Sequence, residues 1–374
     1  MELKRIINIM PDEKFLDYYI KMSNFFLPNE SSYIIYSNNL QLKYVVSEDN
    51  NIIIIKNDID SFSNILKFVS EKSTVIFHGF INSQSHFLEG LPKTVKKVWL
   101  FWGYDGYGAV PSSKYFKWDS YILTFPNSII NKLKFMLVFG YNYFLRSHNK
   151  KAIELIRKMD YCATWIDKDY QLAKKYNENI KRLYFNYYTK EFLNFEDLKF
   201  NNANRKRIFL GNSANHTNNH VQALEYLYKK SYDGEIICPL SYGGEETYIN
   251  SIINIGKRLF NNQFIPITSF MSLDKYQDLI NSCGIVWMNH LRQQAAGNLL
   301  VSFCSGKIVV LDSNNPMSET FKKWGLFFYE KEDIFNSQII DEKILSNNRK
   351  IILEKVSIEA NRFFFDEIHK LKLS

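Results

Sequence analysis

The chain has 374 residues, of which 46% are hydrophobic and 23% charged, with a formal net charge of +8. That length suits roughly two domains of ordinary size with substantial cores, and the positive balance favours an acidic partner: nucleotide phosphates, an anionic membrane surface or nucleic acid. The four cysteines (Cys162, Cys238, Cys283, Cys304) form no CxxC and have no clustered histidines, so neither a zinc site nor a disulfide framework is indicated. No apolar run of transmembrane length and no charged-then-apolar leader is present, so the expected home is a reducing cytoplasm.

The first half alternates short strand-like runs with helical ones. Leu3 to Met10, Ser32 to Tyr36, Asn51 to Lys56, Thr74 to His78 and Lys97 to Trp102 read as strands, with helices over 13–26 and 61–70 between them. Such alternation implies a parallel sheet covered on both faces, with ligands at the strand C-terminal ends. His78-Gly79 and Gly103-Tyr104-Asp105 fall on that edge. A general base there is one reading; a turn cap for His78 and an Asx-turn for Asp105 is the other. Asp58-Ile59-Asp60 resembles a metal-binding DxD, yet Asp60 precedes a helical pattern and reads as its N-cap. Asp167-Lys168-Asp169 is read the same way.

Residues 127–159 combine Phe135, Met136, Leu137, Phe139, Tyr141 and Phe144 with Lys132, Arg146, Lys150, Lys151 and Arg157, against a single acid, Glu154. That composition suits a segment resting on an anionic membrane, or a buried helix with snorkelling lysines. Strands over 160–166 and 180–187 close the first domain, 1–190. The polar, Asn-rich stretch 191–205 reads as a linker, 206–345 as a second α/β domain, and 346–374 as a charged helical tail able to pack back on the first.

In the second domain, Ile208–Leu210 is a short strand that turns through Gly211-Asn212-Ser213 into a helix opened by Thr217. A strand–Gly–helix junction lets backbone approach an anion and aims free N–H groups and the helix dipole at it. This is neither a GxGxxG fingerprint nor a P-loop, so alone it is a weak signal. Strands over 235–240, 264–268, 284–289 and 307–311 follow, with helices over 245–259, 273–281 and 293–304.

The motifs then carry a resemblance. Phe77-His78-Gly79, Trp102-Gly103-Tyr104-Asp105, Gly211-Asn212-Ser213, Thr217-Asn218-Asn219-His220, Pro239-Leu240-Ser241-Tyr242-Gly243, Asp274-Lys275-Tyr276 and Arg292-Gln293-Gln294 with Gly297 occur in this order. Over about residues 75–320 the chain resembles glycosyltransferase family 56, the Fuc4NAc transferases of enterobacterial common antigen synthesis, also named 4-alpha-L-fucosyltransferases. The resemblance implies a GT-B fold, two Rossmann-like doubly wound α/β domains facing a cleft. It also implies a dTDP-sugar donor, a lipid-linked acceptor and peripheral attachment to the inner membrane. The implied donor site comprises Gly211, Asn212, Ser213, Asn218, His220, Pro239, Tyr242, Gly243, Arg292, Gln293, Gln294, Gly297 and Asn298. Arg292 would neutralise the diphosphate with its planar fork. Asp105 and then His78 are the candidate bases of an inverting reaction. No metal or other cofactor is expected, because helix N-termini and cationic side chains stabilise the departing diphosphate.

Two departures bear on the sugar. The family runs Gly-Asp-x-Ser-Asn-x-His after Gly-Asn-Ser, where this chain has Ala214, Asn215, Thr217, Asn218 and His220, and Ala295-Ala296 replace Gly-Ile before Gly297. The competing expectations are a UDP- or GDP-sugar donor, or a non-catalytic nucleotide- or glycan-binding protein of the same fold. Nucleic acid is not expected as a partner, since no basic-aromatic RNA-binding motif is present.

Overall fold

A computed structural model describes residues 3–13, 15–38, 40–79, 84–110, 114–125, 133, 137, 150–201, 205–335 and 341–373. The chain divides into two units, one of 1–109, 148–193 and 356–374, the other of 110–147 and 194–355.

In the first unit, seven parallel strands take the order β3-β2-β1-β4-β5-β6-β7. They are β1 (Ile6–Pro11), β2 (Ser31–Ser37), β3 (Ile52–Lys56), β4 (Thr74–His78), β5 (Lys96–Leu100), β6 (Tyr161–Ala163) and β7 (Lys181–Leu183). The central strands β1 and β4 are buried on both faces, which is why Ile-Ile-Asn-Ile-Met and Thr-Val-Ile-Phe-His are nearly continuous apolar runs. The helix Leu16–Phe26 lays Leu16, Tyr19, Ile20 and Met22 on the sheet, and the last helix, Arg362–Leu373, adds Phe364, Phe365 and Ile368 to the same core.

The second unit repeats this plan with six parallel strands in the order β10-β9-β8-β11-β12-β13. They are β8 (Arg207–Leu210), β9 (Glu235–Pro239), β10 (Phe264–Ile267), β11 (Ile285–Met288), β12 (Ile308–Leu311) and β13 (Tyr329–Glu330). Strand order reverses between β8 and β11, so the loops after those strands diverge and leave a crevice at their C-terminal ends. Trp287, Phe264, Tyr248 and Ile252 fill the core beneath it.

Several boundaries differ from the sequence expectation. Residues 110–147 belong with the second unit and 356–374 with the first, so 1–190 is not one uninterrupted body. Phe195, inside the expected linker, is fully buried. Within the tail, the helix Glu342–Lys355 stays with the second unit, where Arg349 Nη1 donates to the Leu198 and Cys304 carbonyls at 2.7 and 3.0 Å. Asp58, not Asp60, caps the helix Ile59–Leu66, its carboxylate accepting the Ser61 N–H at 2.8 Å. The helix expected from Gln293 begins at Ala296, because Ala295 is left-handed with φ +57°.

Most of the basic-aromatic stretch 127–159 lies outside the described residues. Leu133 and Leu137 are exposed, while the helix Lys150–Arg157 buries Leu155 and Ile156. No helix among the described residues is long and apolar enough to cross a membrane. All four cysteines are buried thiols.

Candidate functional site

The second unit gathers most of the candidate donor residues at the crevice between β8 and β11. Gly211 ends β8 with φ +72°, and a Cβ there would sit 2.8 Å from both Asn218 Oδ1 and His220 Nε2. Asn218 ties the turn together. Its Oδ1 accepts the Asn212 N–H at 3.0 Å and His290 Nε2 at 2.7 Å. Its Nδ2 donates to the Asn215 carbonyl at 2.9 Å and Ser213 Oγ at 3.2 Å. That network puts the His290 proton on Nε2. Asn219 is left-handed (φ +51°) and exchanges side-chain amide bonds with Asn289 across the crevice, at 3.1 and 3.0 Å to the main-chain carbonyls.

The loop after β11 meets this turn from the other side. Gln294 Nε2 donates to Asn212 Oδ1 at 3.1 Å, Thr217 Oγ1 lies 2.6 Å from Gln294 Oε1, and Asn212 Nδ2 donates to the Tyr242 hydroxyl at 3.2 Å. Asn298, on the first turn of the helix Ala296–Cys304 beside Gly297, donates to the Tyr276 hydroxyl at 2.8 Å. Ala295 gives that helix no side-chain cap, so its first N–H groups are offered to whatever lies before them. Pro239 ends β9 in the core, and Gly243 (φ +81°) turns the chain after Tyr242.

The electrostatics are simple. The linking groups are neutral amides, hydroxyls and imidazoles, and the cation is Arg292, partly exposed, with Nη1 3.4 Å from the Gln293 carbonyl. Burial holds His220 at about 3 and His216 at about 4, with the Arg292 charge adding to the His216 shift. Burial first, then Arg292, also lowers His290. Beside the turn after β8, Arg292 and the start of the helix Ala296–Cys304 suit a diphosphate.

In the first unit, His78 and Asp105 lie at the strand C-terminal edge but are buried. Asn8 Nδ2 donates to the Ser32 carbonyl (3.3 Å), which turns Asn8 Oδ1 toward His78 Nε2, also at 3.3 Å. The proton therefore sits on Nε2, and the Tyr187 hydroxyl, accepting from Trp102 Nε1 at 2.8 Å, donates to His78 Nδ1 at 2.8 Å. Burial keeps this imidazole neutral by lowering it to about 3. Asp105 Oδ1 accepts the Trp102 and Gly106 N–H groups at 3.1 and 2.9 Å, and Oδ2 accepts the Trp99 indole at 2.7 Å. Burial pushes its carboxyl up to about 6 despite those donors. The geometry gives both side chains positioning work: His78 orders Tyr187 and Trp102, and Asp105 closes the turn after β5.

Three of the four DxD carboxylates are engaged within the fold. Asp58 is spent on its cap, Asp167 on Arg182 at 2.6 Å, and Asp169 on the Tyr107 hydroxyl at 3.1 Å, its carboxyl raised by burial. Among the described residues no cluster of three or more His, Cys, Asp or Glu side chains could hold a metal ion. Sequence reasoning missed His290, Asn289 and Asn315, whose Nδ2 donates to the His290 carbonyl at 3.2 Å. Their only signal was an Asn-His pair closing a buried strand.

The family model described as 4-alpha-L-fucosyltransferase glycosyl transferase group 56 matches residues 130–365. Among solved structures, a glycosyltransferase from Rickettsia africae superposes with a TM-score of 0.62 at 14% identity, covering 98% of this chain and 99% of the other. A UDP-forming trehalose-phosphate synthase from Burkholderia xenovorans gives 0.61 at 9% identity over 100% of both chains. Anabaena HepE, solved with UDP and glucose, gives 0.60 at 10% identity over 98% and 99%. At such identities the likeness speaks for the fold alone, and that fold is GT-B.

Proposed function

The chain belongs to the 4-alpha-L-fucosyltransferase glycosyl transferase group 56 and is a glycosyltransferase, and on that premise we propose that it moves an amino-deoxy sugar of the Fuc4NAc type from a dTDP-sugar to a lipid-linked or surface-polysaccharide glycan. The supporting observation is the second unit's edge, where Arg292 and the helix start at Ala296, which has no side-chain cap, flank a neutral turn held by side-chain amide bonds. In this reading an acceptor hydroxyl attacks the anomeric carbon, the bond from that carbon to the diphosphate oxygen breaks, and the hydroxyl proton is released to solvent water. The nucleoside diphosphate leaves with the electron pair. Arg292 and the helix N–H groups take up the charge that develops on it, which lets the reaction run without a metal. The acceptor meets the first unit, where His78 and Asp105 hold the Trp102–Tyr104 segment in place. The net positive charge and the sequence of 127–159 support a peripheral position on the inner face of the cytoplasmic membrane, against anionic lipid.

The test is thermal unfolding of the purified protein with dTDP, UDP, GDP or ADP, without metal. A ligand at about 100 times its dissociation constant stabilises by about 2.7 kcal/mol, roughly 2–4 °C for a large domain. A shift with dTDP alone is expected. A shift with UDP or GDP instead would replace the donor, and none with any nucleotide would leave a non-catalytic protein of this fold.

A further inference from the structure

The geometry points to Tyr242 as the plate on which the donor's nucleobase stacks, an inference that rests on the nucleotide-sugar reading above. Tyr242 follows β9 in the turn that Gly243 closes, and it is 47% exposed. It is nonetheless held at two points: its hydroxyl accepts Asn212 Nδ2 at 3.2 Å, and its carbonyl accepts the Ala214 N–H at 2.8 Å. The turn lies close against its neighbour: a Cβ on Gly244 would sit 2.2 Å from the Ala214 carbonyl oxygen. An exposed aromatic ring with a fixed hydroxyl offers flat apolar area at little entropic cost.

Its surroundings narrow the ligand. Tyr276, whose hydroxyl accepts from Asn298 and whose ring packs edge-on against Phe209 at 5.5 Å, is close enough for the two phenols to influence one another. Both phenols are bonded to neutral amides, Asn212 and Asn298, so the groups that fix this face suit an uncharged planar heterocycle rather than a phosphate. The cationic part of the edge lies elsewhere. β9 and β11 stand on opposite sides of β8, and two strand spacings separate the Tyr242 turn from the Arg292 loop by about 10 Å. That spacing leaves room for a ribose between base and diphosphate. Asn212 bonds both Tyr242 and Gln294, so one side chain sets the base plate and the diphosphate loop in register.

Titration calorimetry of the full chain with dTDP, UDP and inorganic pyrophosphate, without metal, tests this. Tyr242→Leu should weaken whichever nucleotide the wild type binds by about tenfold or more, the range of a base–aromatic stack. Tyr242→Phe should hold it within about threefold, and the response to pyrophosphate should be the same in all three proteins. A Leu variant that keeps its nucleotide affinity overturns the assignment. So does one whose pyrophosphate response falls in step, since the turn itself has then been damaged. If the wild type bound neither nucleotide, the donor reading beneath would fall, not this residue's part in it alone.

Discussion

Gly211→Ala is the sharpest probe of the turn after β8. Two costs combine at this position. An alanine forced to φ +72° loses roughly 1–2 kcal/mol to backbone strain. Its Cβ would also meet Asn218 Oδ1 and His220 Nε2 at 2.8 Å, which is too close for either to stay. If Asn218 moves, the buried Asn212 N–H and His290 Nε2–H lose their shared acceptor, at about 1–3 kcal/mol each. The expected destabilisation is about 3–8 kcal/mol, against roughly 1–2 kcal/mol for strain alone. Gly325→Ala supplies the strain-only control. That glycine has φ +83°, and its Cβ would meet nothing nearer than Ile351 Cδ1 at 3.8 Å. Both glycines lie in the second unit, so one urea titration followed by circular dichroism reads both. Equal losses for the two variants would refute the claim that Asn218 and His220 crowd the turn.

Arg292→Ala should lower kcat/KM for sugar transfer by at least about a hundredfold with an unchanged circular dichroism spectrum, since one charge-assisted donor to the leaving diphosphate is lost. Full activity would remove Arg292 from the site. Acid should destabilise the protein. His78 and His220 at about 3 and His216 at about 4 all lie below the ordinary imidazole value, so the unfolded chain binds more protons. Stability is then complete above about pH 6.5 and falls as pH drops toward 4, by up to about 1.4 kcal/mol per pH unit for each imidazole. Urea midpoints that stay flat from pH 6.5 to 4.5 would contradict this. For Asp105, a positioning role predicts that kcat shows no limb of unit slope centred near pH 6. A limb there, absent in Asp105→Asn, would return proton transfer to that carboxylate.

Much of the fold is legible in the sequence because parallel strands buried on both faces write themselves as short apolar runs. Thr74 to His78 is the clearest case, the same residues in the sequence reading and in β4. Helix starts were harder. Gln293-Gln294-Ala295-Ala296 are good helix formers, yet Ala295 is left-handed and the two glutamines lie in a loop, a tertiary choice that local propensity does not register. The exchange of 110–147 and 356–374 between units depends on contacts far apart in the chain and leaves no local trace. Among the candidate residues, Gly211 shows in the sequence as the glycine of a strand–helix turn, and Arg292 only through the family resemblance. His290 does not, because a neutral histidine that only donates to an asparagine resembles any other core residue.

The return of residues 356–374 to the first unit has a consequence for how the protein is made. Phe364, Phe365 and Ile368 pack with Tyr19, Ile20 and Phe185, so the unit that begins to emerge first from the ribosome is the last to acquire a complete core. Until synthesis reaches those residues, the nascent amino-terminal sheet carries an unfilled apolar face, and the later-made second unit can mature before it. A stop codon shortly before Val356 would therefore spare the second unit and leave the first to chaperones and proteases.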